Sequence, residues 1–173
     1  MTLYMGERPL FDYLLSLNVP VSFSGNLSGA DRVIISEYSD NAVRIIKEAL
    51  LINIPVLGIL DGTKSIIKAF DARFEEIDCA EGKQEFAVID TSVPIFKGLE
   101  TVIKICRGKP FGILETVMPK ELDAISRSEN GDILAVSNLI APGMHGNIYG
   151  LNYYLASELT PDAGKIIKNF LQI

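Results

Sequence analysis

One stretch limits the fold of this chain more than any other. Ile54 to Phe70 reads I-P-V-L-G-I-L-D-G-T-K-S-I-I-K-A-F. An apolar strand pattern passes directly into a helix pattern, with Gly58 and Gly62 at the spacing of a nucleophile elbow. Such a turn sets its middle residue, here Leu60, at a sharp bend above a sheet. The next backbone N–H then points where an oxyanion would form.

The same alternation extends on either side. Pro9 suits a first helical turn, and Leu10, Tyr13, Leu14 and Leu17 follow at helical spacing. Ser39 or Asp40 suits the cap of a second helix, with Ala42, Ile45, Ile46 and Ala49 on one face. A third begins near Asp61–Gly62 and carries Ile66, Ile67 and Phe70. The last opens at Thr160–Pro161, a cap followed by proline, and carries Ile166, Ile167, Phe170 and Leu171.

Between the helices, Val19–Ser24, Arg32–Ser36 and Pro55–Leu60 read as buried strands. Strand and helix alternating up to Phe70 predict a parallel sheet covered on both faces. The second half reads differently. Phe86–Asp90, Thr101–Cys106, Leu122–Arg127, Ile133–Ser137 and Ile148–Tyr153 are strand-like with few helices between them, and Asn130–Gly131 is a hairpin turn. The expected fold is three-layer α/β, a mostly parallel sheet between helices with an antiparallel extension. With 173 residues and no linker or repeat, it forms one domain over 1–173.

Composition excludes several functions. A formal charge of −6 is repelled by phosphate backbones, so nucleic acid is not an expected partner. No run of apolar residues is long enough to span a membrane, and Met1 to Arg8 lacks the pattern of a secretory signal, so the expected address is the cytoplasm. Cys79, Cys106 and the single His145 do not complete a four-ligand zinc site, so no metal or cofactor is expected.

The Ile54–Phe70 stretch resembles the class I glutamine amidotransferases, and within them the stand-alone glutaminase subunit of archaeal-type GMP synthase. There the strand reads P-V/I-L-G-I-C-x-G-x-Q, with the cysteine as nucleophile. The likeness continues along the chain. Pro94-Ile95-Phe96-Lys97-Gly98-Leu99 is similar to the family's P-I/L-F-K/R-G-L turn, and Ile148-Tyr149-Gly150-Leu151-Asn152-Tyr153 to I-Y-G-V-Q-F. Thr160-Pro161, Gly164 and Lys168-Asn169-Phe170-Leu171 are similar to its terminal segment.

The family's chemistry needs a thiolate, a histidine to activate it and a carboxylate to orient the histidine. On this resemblance Leu60 stands at the cysteine position, Tyr154 at the histidine and Ala156 at the glutamate. The family's S-G-G-P turn, which supplies an oxyanion donor, is matched by Ser36-Glu37-Tyr38-Ser39, and its elbow glutamine by Lys64. Its S-H-x-D loop is absent near Cys106-Arg107-Gly108-Lys109. The resemblance therefore implies the scaffold of a glutaminase without its machinery.

The remaining polar residues have simple readings. Cys106 ends a strand pattern beside Arg107 and Lys109, where a buried thiol is expected rather than a displaced nucleophile. Cys79 lies in a connection. His145, in Pro142-Gly143-Met144-His145-Gly146, is expected in a solvated loop. Glu75-Glu76-Ile77-Asp78 is expected at a solvated edge. Asp61-Gly62-Thr63 echoes the D-x-D-G-T loop of haloacid-dehalogenase phosphatases, but Ile59 occupies the nucleophile's place and the reading fails.

Asp61 suits a helix cap, and Asp61–Lys64 suits a surface ion pair at i, i+3. The functional alternative is a small anionic ligand held by Asp61, Gly62, Lys64 and Tyr154. The reading is a non-catalytic binding or regulatory protein, with a synthetase-type protein or a second copy as partner. The alternatives are an enzyme of different chemistry or a small-ligand sensor in the vacated glutamine pocket. A pocket filled by Leu60 and Tyr154 favours the partner; an open one with Lys64 directed inward favours the ligand.

Overall fold

In a computed structural model that describes residues 1–173, the chain opens on a strand, β1 (Thr2–Met5), followed by α1 (Arg8–Ser16) and β2 (Val21–Phe23). Then come β3 (Arg32–Ile35), α2 (Asp40–Leu51), β4 (Val56–Ile59) and α3 (Asp61–Ala69). The second half contains β5 (Phe74–Glu76), β6 (Gln84–Ile89), β7 (Val102–Cys106), β8 (Phe111–Ile113), β9 (Leu122–Ser128), β10 (Ile133–Ala141), β11 (Met144–Leu151) and α4 (Ala163–Phe170).

Nine strands form one sheet in the order β2-β1-β3-β4-β11-β10-β9-β6-β7. From β2 to β11 every pairing is parallel, and from β11 to β7 every pairing is antiparallel. The side-chain period of two divides the inner parallel strands between two cores. Ile34, Leu57 and Ile59 pack with α1 and α4, whereas Val33, Ile35 and Val56 pack with α2 and α3. Strands buried on both faces carry no polar alternation, which is why they read as continuous apolar runs. The architecture is the three-layer α/β fold expected.

Several local expectations change. Thr2–Met5 is a strand that the sequence pattern does not mark; it lies between β2 and β3, and four residues give little pattern. β5 and β8 form a separate two-stranded sheet, so the acidic run contains a strand, with Glu75 and Glu76 exposed. Ser39 does cap α2, its Oγ accepting from Ala42 N at 3.1 Å. Thr160 caps nothing: α4 starts at Ala163, and the Thr160 hydroxyl accepts from Cys106 N (2.8 Å) while donating to Tyr154 O (2.9 Å).

Gly131, at φ 88°, completes the expected hairpin turn between β9 and β10. The Pro142–Gly143 segment is a second hairpin turn, which puts His145 on β11 and not in a solvated loop. Its side chain is 10% exposed, and Nδ1 is 2.5 Å from Ser137 Oγ. No helix is long and apolar enough to cross a membrane.

Candidate functional site

The bend between β4 and α3 forms as its sequence requires. Leu60 has φ 55° and ψ −117°, a backbone state that a bulky side chain adopts only when its surroundings impose it. They do so from both sides. Leu60 N donates to Leu151 O on β11 at 2.9 Å, and Thr63 N donates to Leu60 O at 2.9 Å. A Cβ on Gly58 would lie 2.6 Å from the Gly62 carbonyl oxygen, so only glycine there lets the helix fold back on its strand.

Beside the bend is a cleft of about 150 Å³. Its apolar lining comes from Pro9, Leu10, Ile59, Leu60, Leu155 and Ala156, and its polar lining from Glu7, Ser36, Asp61, Lys109 and Tyr154. Of the residues singled out from the sequence, Leu60, Asp61, Tyr154 and Ala156 meet here. Gly62 and Lys64 do not line it. The Lys64 ammonium pairs with Asp61 Oδ1 at 2.9 Å and lies 5.7 Å and 5.1 Å from the ring centroids of Phe74 and Phe111. That aromatic wall draws it away from the cleft. Asp61 is the first helical residue and makes no side-chain cap bond; Leu60 occupies the cap position.

The cleft's cation is Lys109, which the sequence marks only as a neighbour of Cys106. Asn152 holds it there: buried Asn152 accepts from Lys109 N through Oδ1 and donates to Lys109 O through Nδ2, both at 2.9 Å. Lys109 Nζ lies 5.9 Å from the centroid of the Tyr154 ring and 3.7 Å from Glu81 Oε1. The Tyr154 hydroxyl donates to the same oxygen at 2.5 Å. Burial disfavours the Lys109 charge, but Tyr154, Asp61 and Glu81 outweigh it and hold its pKa above the usual lysine value. Burial, with the bond to Glu81, raises the Tyr154 phenol. Tyr154 is therefore a neutral hydrogen-bond donor at neutral pH.

No thiol or imidazole lines the cleft. Cys106 is buried, as expected, and Cys79 is a half-buried free thiol. His145 lies six residues along β11 from Leu151, about 20 Å at the rise of a strand. Ser36 contributes a hydroxyl, but Tyr4 Oη lies 2.7 Å from it and Glu7 N donates to it at 3.3 Å. The arrangement presents a cation, a phenol O–H and an apolar body to the cleft.

No protein-family model matches the chain. Its sequence is 25% identical to anthranilate synthase component 2 of Archaeoglobus fulgidus over 143 residues, 83% of this chain and 75% of that protein. It is 26% identical to the glutamine-hydrolysing GMP synthase of Clostridium tetani over 136 residues, 79% of this chain. The match covers 25% of that synthase's length. Among solved structures, a Thermoplasma acidophilum protein ascribed to one of the subunits of GMP synthase superposes with a TM-score of 0.81 at 19% identity, covering 99% of this chain and 92% of that one. A glutamine amidotransferase of Thermotoga maritima gives 0.76 at 13% identity, covering 99% and 96%. The fold is that of the glutamine amidotransferases, and the sequence likenesses support a relationship to class I of that family.

Proposed function

We propose that this chain is a class I glutamine amidotransferase-like protein that does not hydrolyse glutamine and acts by binding. The observation that carries this reading is Leu60 at the bend between β4 and α3. On the family's pattern that residue attacks the amide carbon, and an aliphatic side chain has no lone pair to do so. Tyr154 and Ala156 occupy the places of the activating histidine and its orienting carboxylate. A tyrosine engaged with Glu81 has no partner thiol to deprotonate.

Similarity to a component of anthranilate synthase and to part of GMP synthase supports a synthetase-type protein as partner, with a second copy of the chain as the alternative. The open cleft favours a second reading, in which the vacated pocket takes a small ligand and the chain is a sensor. Lys109, not Lys64, is the cation in reach.

The test is to incubate purified protein with glutamine, alone and with a candidate synthetase partner, and to measure ammonia and glutamate. Neither forms. Leu60→Cys does not restore turnover, because base, orienting carboxylate and the glycine-rich oxyanion turn are also missing. Turnover that is abolished by Cys106→Ser refutes the reading and moves the reactive centre elsewhere.

A further inference from the structure

We infer that the cleft is a seat for a short-chain aliphatic monocarboxylate, and that Glu81 is a built-in competitor for the charged end of that ligand. The inference rests on the ligand-binding form of the reading above. Two residues of the cleft, Lys109 and Tyr154, converge on one group that reaches them from outside the lining, and that group is a carboxylate. The Tyr154 hydroxyl donates to Glu81 Oε1 at 2.5 Å, and Lys109 Nζ stands 3.7 Å from the same oxygen. An ammonium and a phenol O–H that share one carboxylate oxygen form a pair suited to any carboxylate of similar reach.

Glu81 holds the phenol closely but the ammonium loosely. Its side chain is 38% exposed, and 3.7 Å is beyond hydrogen-bonding distance, so the lysine is left unsaturated. The glutamate also lies on a connecting segment, one residue before Gly82 at φ 75°. An exposed pair of this kind contributes little to stability and is readily exchanged.

The rest of the cleft sets the body of the ligand. Leu10, Ile59, Leu60 and Leu155 offer only hydrocarbon. The Ser36 hydroxyl is already committed. Tyr4 O–H donates to Glu7 O at 2.6 Å, which leaves Ser36 O–H to donate to Tyr4 Oη and its oxygen to accept from Glu7 N. An apolar tail gains by burial against these side chains, and the polar groups that remain on the lining beside Lys109 and Tyr154 are the Glu7 and Asp61 carboxylates. Glu7 and Asp61 on the lining disfavour a second negative charge. The volume of about 150 Å³ lies below the roughly 300–1,000 Å³ of drug-sized ligand sites, which points to a small ligand.

The full chain is titrated with isovalerate, with its neutral amide and with glutamine, and followed by backbone amide NMR shifts. Isovalerate is expected to give saturable shifts at Leu60, Lys109 and Tyr154, and to bind about tenfold more tightly than the amide. Glu81→Gln is expected to tighten isovalerate several-fold, because it frees the fraction of seats that Glu81 occupies. Lys109→Met and Tyr154→Phe are each expected to weaken it with unchanged melting temperatures. Equal binding of acid and amide overturns the inference, as does a Glu81→Gln affinity that is unchanged or weaker, or an absence of saturable shifts up to about 50 mM. Ammonia release from glutamine would refute the non-catalytic reading and leave carboxylate binding to be judged on these titrations. Absence of both ammonia and binding refutes the inference alone.

Discussion

The backbone of Gly62 lies so close to the carbonyl of Ile35 that a Cβ on Gly62 would be 1.9 Å from the oxygen. This contact seats the first turn of α3 on the end of β3, and with it the bend at Leu60. Gly62→Ala forces the helix off the strand. The expected cost is about 3 kcal/mol, at the upper end of overpacking penalties, read as a lower urea midpoint with unchanged m.

Leu60 reverses a familiar order of substitution. At φ 55° and ψ −117° a side chain is strained, and only glycine adopts this region freely. Leu60→Ala loses packing against the core and keeps the strain. Leu60→Gly loses the same packing and releases it. Leu60→Gly is therefore expected to be more stable than Leu60→Ala by about 1 kcal/mol, measured by chemical denaturation of both variants.

Asn152 is expected to matter beyond its size. It is 1% exposed, and its amide bonds both backbone groups of Lys109. Asn152→Leu leaves that N–H and that C=O without partners, at a cost of about 1–3 kcal/mol for each buried group left unpaired. Hydrogen exchange at Lys109 is expected to accelerate with the loss, because the segment that presents the cation to the cleft is no longer clamped.

At the alkaline end, Tyr4 and Tyr149 are pushed up to about 12 by burial, and Tyr153 is raised further by complete burial. The folded protein keeps phenolic protons that the unfolded chain releases from about pH 10. Stability from these groups is complete below about pH 10 and falls as pH rises toward 12, by about 1.4 kcal/mol per pH unit for each tyrosine. Ultraviolet phenolate absorbance is expected to show these tyrosines ionising together with unfolding. Early ionisation without unfolding would contradict their burial.

Much of the fold is legible in the sequence because the same residues serve local pattern and tertiary packing. Val33, Ile34 and Ile35 form an apolar run and also face both cores. Ser39 sits where a cap belongs and forms the bond. Most of what escapes the sequence is long-range. Lys109 is clamped at the cleft by Asn152, which lies 43 positions away along the chain. Lys64 leaves it because Phe111 comes to lie under its ammonium. His145 looks like a loop residue until β10 and β11 pair across Pro142–Gly143. For the two lysines the deciding contact is between residues far apart in the chain, whereas for His145 it is a local hairpin, Ala141 against Met144, that the Pro142–Gly143 turn signal could have marked.

The most direct test of the central claim is intact-protein and peptide mass spectrometry after exposure to a glutamine-shaped chloroketone, which alkylates a nucleophile in a glutamine site. With Leu60 at the bend, no adduct is expected on the peptide containing Pro55–Lys64, and no labelling elsewhere that glutamine protects against. A stoichiometric adduct that glutamine prevents, on any residue lining the cleft, would contradict it.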